Sequence, residues 1–338
     1  MNKTKIPNFK DQKILITGGA GFIGSHLADE LLEKGARVTI YDNFMRGKEN
    51  KRNIKEVLEA HSTKPKIIIG DVLDFKKIKP LVQTADFCFH LAALPSNRLA
   101  LSQPRWYAEV DVMGTINVLE AARLTKNPPK IILASSNKVY GKQKPPFKEE
   151  LIPQPEGPYG QAKKTSEEFC RQYSKYYRID TPIARFHHVI GPRCQPDLVL
   201  SIFTERILKD QKPIVHGQFK GKKFIPCAAD WTNINDTIAG LLLISSLKGF
   251  QVFNLGTGRT HSLLELVQEI SKNLGKKTKI IKKQMFPHES LIHCADISKA
   301  KKQLNFIARV SFEQSVKEFV AWRLKIGRRE QAIYKTKL

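Results

Sequence analysis

The segment Thr17-Gly18-Gly19-Ala20-Gly21-Phe22-Ile23-Gly24-Ser25-His26-Leu27 constrains this chain more than any other. It follows the apolar run Ile14-Leu15-Ile16 and leads into apolar positions at helical spacing through Leu31 and Leu32. Strand, glycine turn and helix in that order make the phosphate-binding corner of a dinucleotide fold. Gly18 or Gly19 makes the tight turn, Gly21 lets the backbone approach a pyrophosphate, and Gly24 lets helix and strand pack closely. The helix start presents free N–H groups and the positive end of its dipole to the phosphates. Ordinary turns also collect glycine, so context decides. A second apolar run, 37–41, ends in Asp42 about twenty residues on, where a carboxylate accepts hydrogen bonds from an adenosine ribose and repels a 2′-phosphate. The spacing favours NAD over NADP.

Apolar runs at 13–17, 37–41, 66–69, 86–90 and 130–134 alternate with helix-period segments such as 106–124, and a further strand, 181–186, follows a helix at 159–177. This alternation predicts an α/β fold, a Rossmann doubly wound parallel sheet. After Gly191-Pro192-Arg193 the alternation loosens, with helices expected at 202–209, 263–274 and 312–325 and strands at 252–255 and 278–282. The expected organisation is an NAD-binding domain at 1–186, joined by a returning segment near 228–258, then a smaller interleaved substrate-binding domain at 187–327 and a basic tail of loose order at 328–338.

With 338 residues, 41% of them hydrophobic, the chain builds a sizeable core. No apolar run approaches the roughly 20 residues of a membrane helix, and the polar, lysine-rich start does not read as a signal peptide. The five cysteines are scattered without a CxxC pair, which points to reduced thiols in the cytoplasm and to no metal site. Lysine and arginine number 57 against 32 acidic residues, a net +25. Lysine dominates, the charge is spread along the whole chain, and no aromatic-interleaved basic stripe appears. A solvated coat that gathers an anionic substrate is favoured over a nucleic-acid surface. An RNA-binding or regulatory protein of the same fold is the rival reading.

Tyr159 and Lys163 lie four apart, on one face of a helix that Pro158 starts. The ammonium is expected to favour the ionised phenol, making Tyr159 a general base. Tyr140 and Lys144 share the spacing, but Pro145 and Pro146 deny them a helix. Ser135-Ser136 end the strand at 130–134, at the sheet edge where ligands bind, and offer a hydroxyl to Tyr159. A binding module needs none of Ser136, Tyr159 and Lys163, which argues for an enzyme.

Taken together, these segments resemble the extended short-chain dehydrogenase/reductase family, in its NAD-dependent nucleotide-sugar epimerase/dehydratase branch. The resemblance covers roughly 12–325. It rests on Thr17–Leu27, Asp42-Asn43, Gly70-Asp71-Val72, His90-Leu91-Ala92-Ala93, the run Gly114 to Arg123, Ser135-Ser136 before Val139-Tyr140-Gly141, Tyr159-Gly160 with Lys163, and Gly191-Pro192-Arg193. It implies that Gly18, Gly21, Phe22, Ile23 and Gly24 hold the NAD pyrophosphate, Asp42 and Asn43 the ribose, Asp71 and Val72 the adenine pocket, and Leu91, Ala92 and Ala93 the central part, with Asp111, Tyr159 and Lys163 also binding the cofactor. Ser136, Tyr159 and Lys163 are the implied catalytic residues. Ser96, Asn97, Ser136, His188, Arg193, Lys222 and Lys223 are the implied substrate contacts. The resemblance further implies an epimerase that oxidises a sugar hydroxyl and returns the hydride, and a homodimer built on a four-helix bundle of 106–124 and 159–177. A net dehydrogenase or dehydratase is the alternative.

Departures from the family pattern narrow the chemistry. Lys138 stands two before the Tyr140-Gly141 pair, where dehydratases carry an acid, so Ser136-Asn137-Lys138-Val139-Tyr140-Gly141 looks more like the epimerases. Asp111 replaces an Asn, His188 replaces an Asn, Ala229 replaces an Arg, and Phe286-Pro287-His288-Glu289 replaces a segment that begins with Arg. Both arginines expected on a diphosphate are missing, and an arginine fork is hard to replace geometrically.

Overall fold

The structure, a computed structural model, describes residues 5–94, 97–287 and 289–335, leaving aside the side chains of 97, 98 and 328–335. Strands β1 (Lys13–Thr17), β2 (Arg37–Asp42), β3 (Lys66–Ile69), β4 (Phe87–His90), β5 (Lys130–Ser136) and β6 (Ile183–Phe186) join a seventh strand, Val252–Leu255, in one sheet. Its order is seventh strand, β6, β5, β4, β1, β2, β3, with every pairing parallel. Parallel neighbours need crossovers, supplied here by α1 (Phe22–Glu33), α2 (Lys48–Ala60), α3 (Phe75–Gln83) and later helices. Both faces of the sheet are therefore covered. Ile14 and Ile16 enter one core cluster and Leu15 the other, the period-two alternation of a strand buried on both sides.

The chain leaves β1 for β2 on one side, while β4 pairs on the other. A crevice opens beyond the carboxyl ends of the strands at such a switch point. The helix Pro158–Tyr177 lies against it, started by Gly157 and Pro158, with Tyr159, Lys163, Ser166, Glu167 and Cys170 on its buried face. The neighbouring stretch, expected as one helix over 106–124, is three: Pro104–Tyr107, a π-helical turn at Ala108–Met113, and Gly114–Arg123. The π turn rotates Asp111 into the interior; such turns gather at functional sites, and no periodicity announces them.

Beyond β6, small sheets replace the large one. His188–Ile190 pairs with Trp231–Asn233, and Ala228–Ala229 lies between His261–Ser262 and Ile292–His293. Ile214–Lys220 lies between Lys223–Pro226 and Ile281–Gln284. The strand expected at 278–282 thus starts later, at Ile281. The last helix runs Phe312–Lys335, so the tail expected to be loose from 328 is helical as far as 335. No proline follows Phe312, and arginine, glutamate, glutamine and alanine in 328–335 are good helix formers. Residues 336–338 lie outside the described residues.

Candidate active site

The glycine turn is shaped by contact. Gly18 has φ +69, which favours glycine, and a Cβ there would lie 2.7 Å from the Ala92 nitrogen. A Cβ on Gly24 would lie 2.4 Å from the Gly18 oxygen and 2.7 Å from Gly19 Cα. These two glycines let turn, helix and β4 meet. On Gly21 a Cβ would meet only the Gly18 oxygen, at 3.1 Å. Gly21 starts α1 with no side-chain cap, leaving the first N–H groups free for an anion.

A cleft of about 310 Å³ runs along this edge. It is lined by Gly18, Gly21, Phe22, Ile23 and Gly24, by Asp42 and Asn43, by Asp71 and Val72, by Leu91, Ala92 and Ala93, and by Tyr159 and Lys163. Asp42 is locked at the end of β2: one carboxylate oxygen accepts from Ala20 N at 3.0 Å, the other from Phe44 N at 2.8 Å. Asn43 donates to Asp71 at 2.9 Å, joining the ribose and adenine ends. Beneath them His90 bridges Thr17 at 2.7 Å and Thr115 at 3.1 Å; burial lowers its pKa to about 3, so it works as a neutral hydrogen-bonding strut. Arg46, Asn50, Met45 and Gln195 also line the cleft, and the sequence reading missed them. Arg46 faces the ribose end but forks onto Asp197 at 3.0 and 3.3 Å. Glycines that leave a backbone cradle, unspent N–H groups and a carboxylate at the ribose end fit NAD.

At the inner end of the cleft the Ser136 hydroxyl lies close enough to the Tyr159 phenol to lower its pKa. Ser135 is spent elsewhere: it donates to Glu167, which takes two bonds from Arg185 at 2.9 and 2.7 Å. The same Arg185 donates to the Tyr140 hydroxyl at 2.9 Å, and that hydroxyl donates to Asn254 at 2.8 Å. Tyr140 is therefore a buried strut, which resolves the choice between the two Tyr-x-x-x-Lys matches.

The expected lowering of the Tyr159 pKa is reversed. Burial first, then the Asp111 carboxylate, push the phenol well above its usual range, while the hydrogen bond with Ser136 pulls the other way. Lys163 is buried beside them, and its charge bears on Asp111 and His90. Asp111 does not line the cleft: its Oδ1 accepts from Leu94 N at 2.9 Å, and its buried Oδ2 has no partner among the described residues. Burial raises its own pKa and Lys163 lowers it.

A second cavity of about 230 Å³ adjoins the first, sharing Tyr159 and Phe186, and is lined by Ser136, Asn137, Lys138, His187 and His188. Of the expected substrate residues, Ser136 and His188 meet here. Arg193 does not. Its guanidinium is buried against Asp29 at 2.6 Å and Glu56 at 2.9 Å, fixing the Gly191-Pro192-Arg193 turn to α1 and α2. Lys222 and Lys223 sit exposed at the turn between Ile214–Lys220 and Lys223–Pro226, lining neither cavity. Ser96 and the Asn97 side chain lie outside the described residues.

A seven-stranded Rossmann sheet carrying this glycine turn and a Ser–Tyr–Lys constellation defines an extended short-chain dehydrogenase/reductase. The profile of the family described as GDP-mannose 4,6 dehydratase matches residues 15–319, and the chain belongs to that family. It is 31% identical over 315 residues to a UDP-glucuronate 4-epimerase of Thermodesulfobacterium geofontis, covering 91% of this chain and 95% of the relative. Among solved structures, it resembles the UDP-glucuronic acid 4-epimerase of Bacillus cereus in complex with UDP-glucuronic acid and NAD (TM-score 0.84, 30% identity, 93% of this chain and 99% of the other). It also resembles the Thermus thermophilus UDP-glucose 4-epimerase in complex with NAD (TM-score 0.82, 26% identity, 92% and 98%).

Proposed function

We propose that this protein is an NAD-dependent epimerase of a nucleotide-activated sugar, and that the sugar is carried on UDP and inverted at C4, as the names of its relatives indicate. The observation that carries the reading is the position of Tyr159: it lines both the dinucleotide cleft and the second cavity, whose wall also holds Ser136. NAD supplies the hydride acceptor and, later, the donor. Tyr159, with Ser136 beside it, takes the proton of the reacting hydroxyl and returns it after the keto-sugar has presented its other face. Lys163 lines the same cleft as Tyr159 and supplies positive charge to the buried Asp111. The second cavity gives the sugar room to turn.

The site residues support this assignment: Ser136, Tyr159 and Lys163 for catalysis, the cleft residues for NAD, and Ser136 and His188 for the sugar. The division at 186/187 follows the change from the large sheet to the small ones, with Val252–Leu255 returning to the first unit. A cytoplasmic setting fits five free thiols, and among the described residues no helix is long and apolar enough to cross a membrane. Met113, Leu124, Tyr176 and Tyr177 are exposed on the two helices expected to form a dimer bundle. Light scattering on the purified protein reads the dimer directly.

The experiment that tests the function is a panel of UDP-, CDP-, GDP- and dTDP-sugars with product analysis by NMR and absorbance at 340 nm. Inversion of a UDP-sugar at C4 without net NADH is the expected result. NADH accumulating in step with turnover would establish a net dehydrogenase instead.

A further inference from the structure

The second cavity ends in a group of side chains that the Tyr159 chemistry does not use. Lys138 follows Ser136 on a 3₁₀ turn, Asn137–Tyr140, and lines the cavity. Its amine lies 3.3 Å from His293 Nε2 and forms no ion pair among the described residues. Glu289 acts on it only from farther away. His188, also lining the cavity, has its ring 5.4 Å from that of His293 and 5.3 Å from Trp231. Among the described residues, buried Asn137 Nδ2, His188 Nδ1 and His293 Nδ1 have no hydrogen-bond partner.

These atoms come from four segments that the small sheets bring together. His188 pairs with Trp231 in register, and His293 with Ala229. The two nearby arginines are spent, Arg185 on Glu167 and Arg193 on Asp29 and Glu56. The cavity wall thus carries the Lys138 amine, the His188 imidazole and the Asn137 amide, with His293 against the amine, and among the described residues no carboxylate contacts that amine. A cation drawn partly out of water without a counter-charge is costly, and a ligand oxyanion removes that cost through charge-assisted bonds.

We propose that Lys138, with His188 and His293, forms the anion subsite of this enzyme and binds an oxyanion of the substrate in place of an arginine fork. The inference rests on the nucleotide-sugar reading above. The oxyanion comes either from the diphosphate or from a carboxylate on the sugar.

Calorimetric binding to the NAD-loaded enzyme separates these sources, with uridine, UDP, UDP-glucose and UDP-glucuronate as probes against wild type and Lys138→Met. The expected result is a loss of roughly tenfold to a hundredfold in affinity. Loss for UDP and both UDP-sugars, with uridine unchanged, assigns the diphosphate; loss for UDP-glucuronate alone assigns the sugar carboxylate. Unchanged NAD affinity shows that the variant is folded; Lys138→Gln, judged by the same outcomes, replaces it if it is not. Affinities within twofold of wild type for all four probes overturn the inference. A wild type that binds none of the four removes the nucleotide-sugar reading itself, and the subsite with it.

Discussion

The two halves of the site are made of different material. The cofactor half is largely backbone: a turn with φ +69 at Gly18, helix N–H groups after Gly21, and one carboxylate, Asp42, tied to Ala20 and Phe44. The substrate half is side chains, Lys138, His188 and His293, drawn from segments far apart in the chain. Backbone sites tolerate little change in the few residues that shape them. Side-chain sites keep their scaffold while their chemistry is rewritten, and here arginine positions hold Ala229 and Phe286.

The largest test of that contrast lies where the halves meet. Tyr159→Phe removes the phenol hydroxyl but keeps the ring that lines both cavities, so kcat falls about 10²- to 10⁴-fold while NAD affinity, read by titration, stays level. Full activity in this variant would break the assignment. Next in size, Gly24→Val drives a side chain into Gly18 and Gly19. The overpacking costs about 1–3 kcal/mol, and NAD binding weakens with it; calorimetry and thermal melts read both, and an unimpaired variant would show that the cofactor half is less rigid than argued.

Asp111→Asn sharpens the comparison through pH. The base form of Tyr159 is the phenolate, so activity rises with pH through the phenol's pKa. Asp111 contributes to holding that pKa up. Removing its negative charge lowers the pKa, and the rising limb of kcat/KM moves to lower pH; a limb that stays in place, or moves up, would exclude the coupling. The smallest effect is expected at the exposed Lys222 and Lys223. Alanine at either changes stability by no more than about 0.5 kcal/mol, and substrate affinity stays within experimental scatter. A clear loss of affinity there would return these lysines to the substrate half.

Much of the cofactor half was legible in the chain because its determinants are local. The glycine turn and the Tyr159–Lys163 pair each span only a few residues, and Asp42 ends the strand that follows the turn's own helix. Five of the seven sheet strands, β1, β2, β3, β5 and Val252–Leu255, begin at the residue where their expected runs begin. Arg193 was misread for the opposite reason. Its partners Asp29 and Glu56 lie more than a hundred residues earlier, and no spacing rule links them. The reversal at Tyr159 has the same origin, since Asp111 reaches it through a π turn that no periodicity marks.

By itself, the sequence determined the sheet, the glycine turn of the NAD cleft and the shared helix of Tyr159 and Lys163, because strand period, helical spacing and glycine sterics act over short distances. Only the tertiary structure decided which charges remain available. Burial and pairing consume Arg185 and Arg193 and leave Lys138 beside His293, because a side chain's free energy in the interior depends on neighbours that the linear order does not reveal.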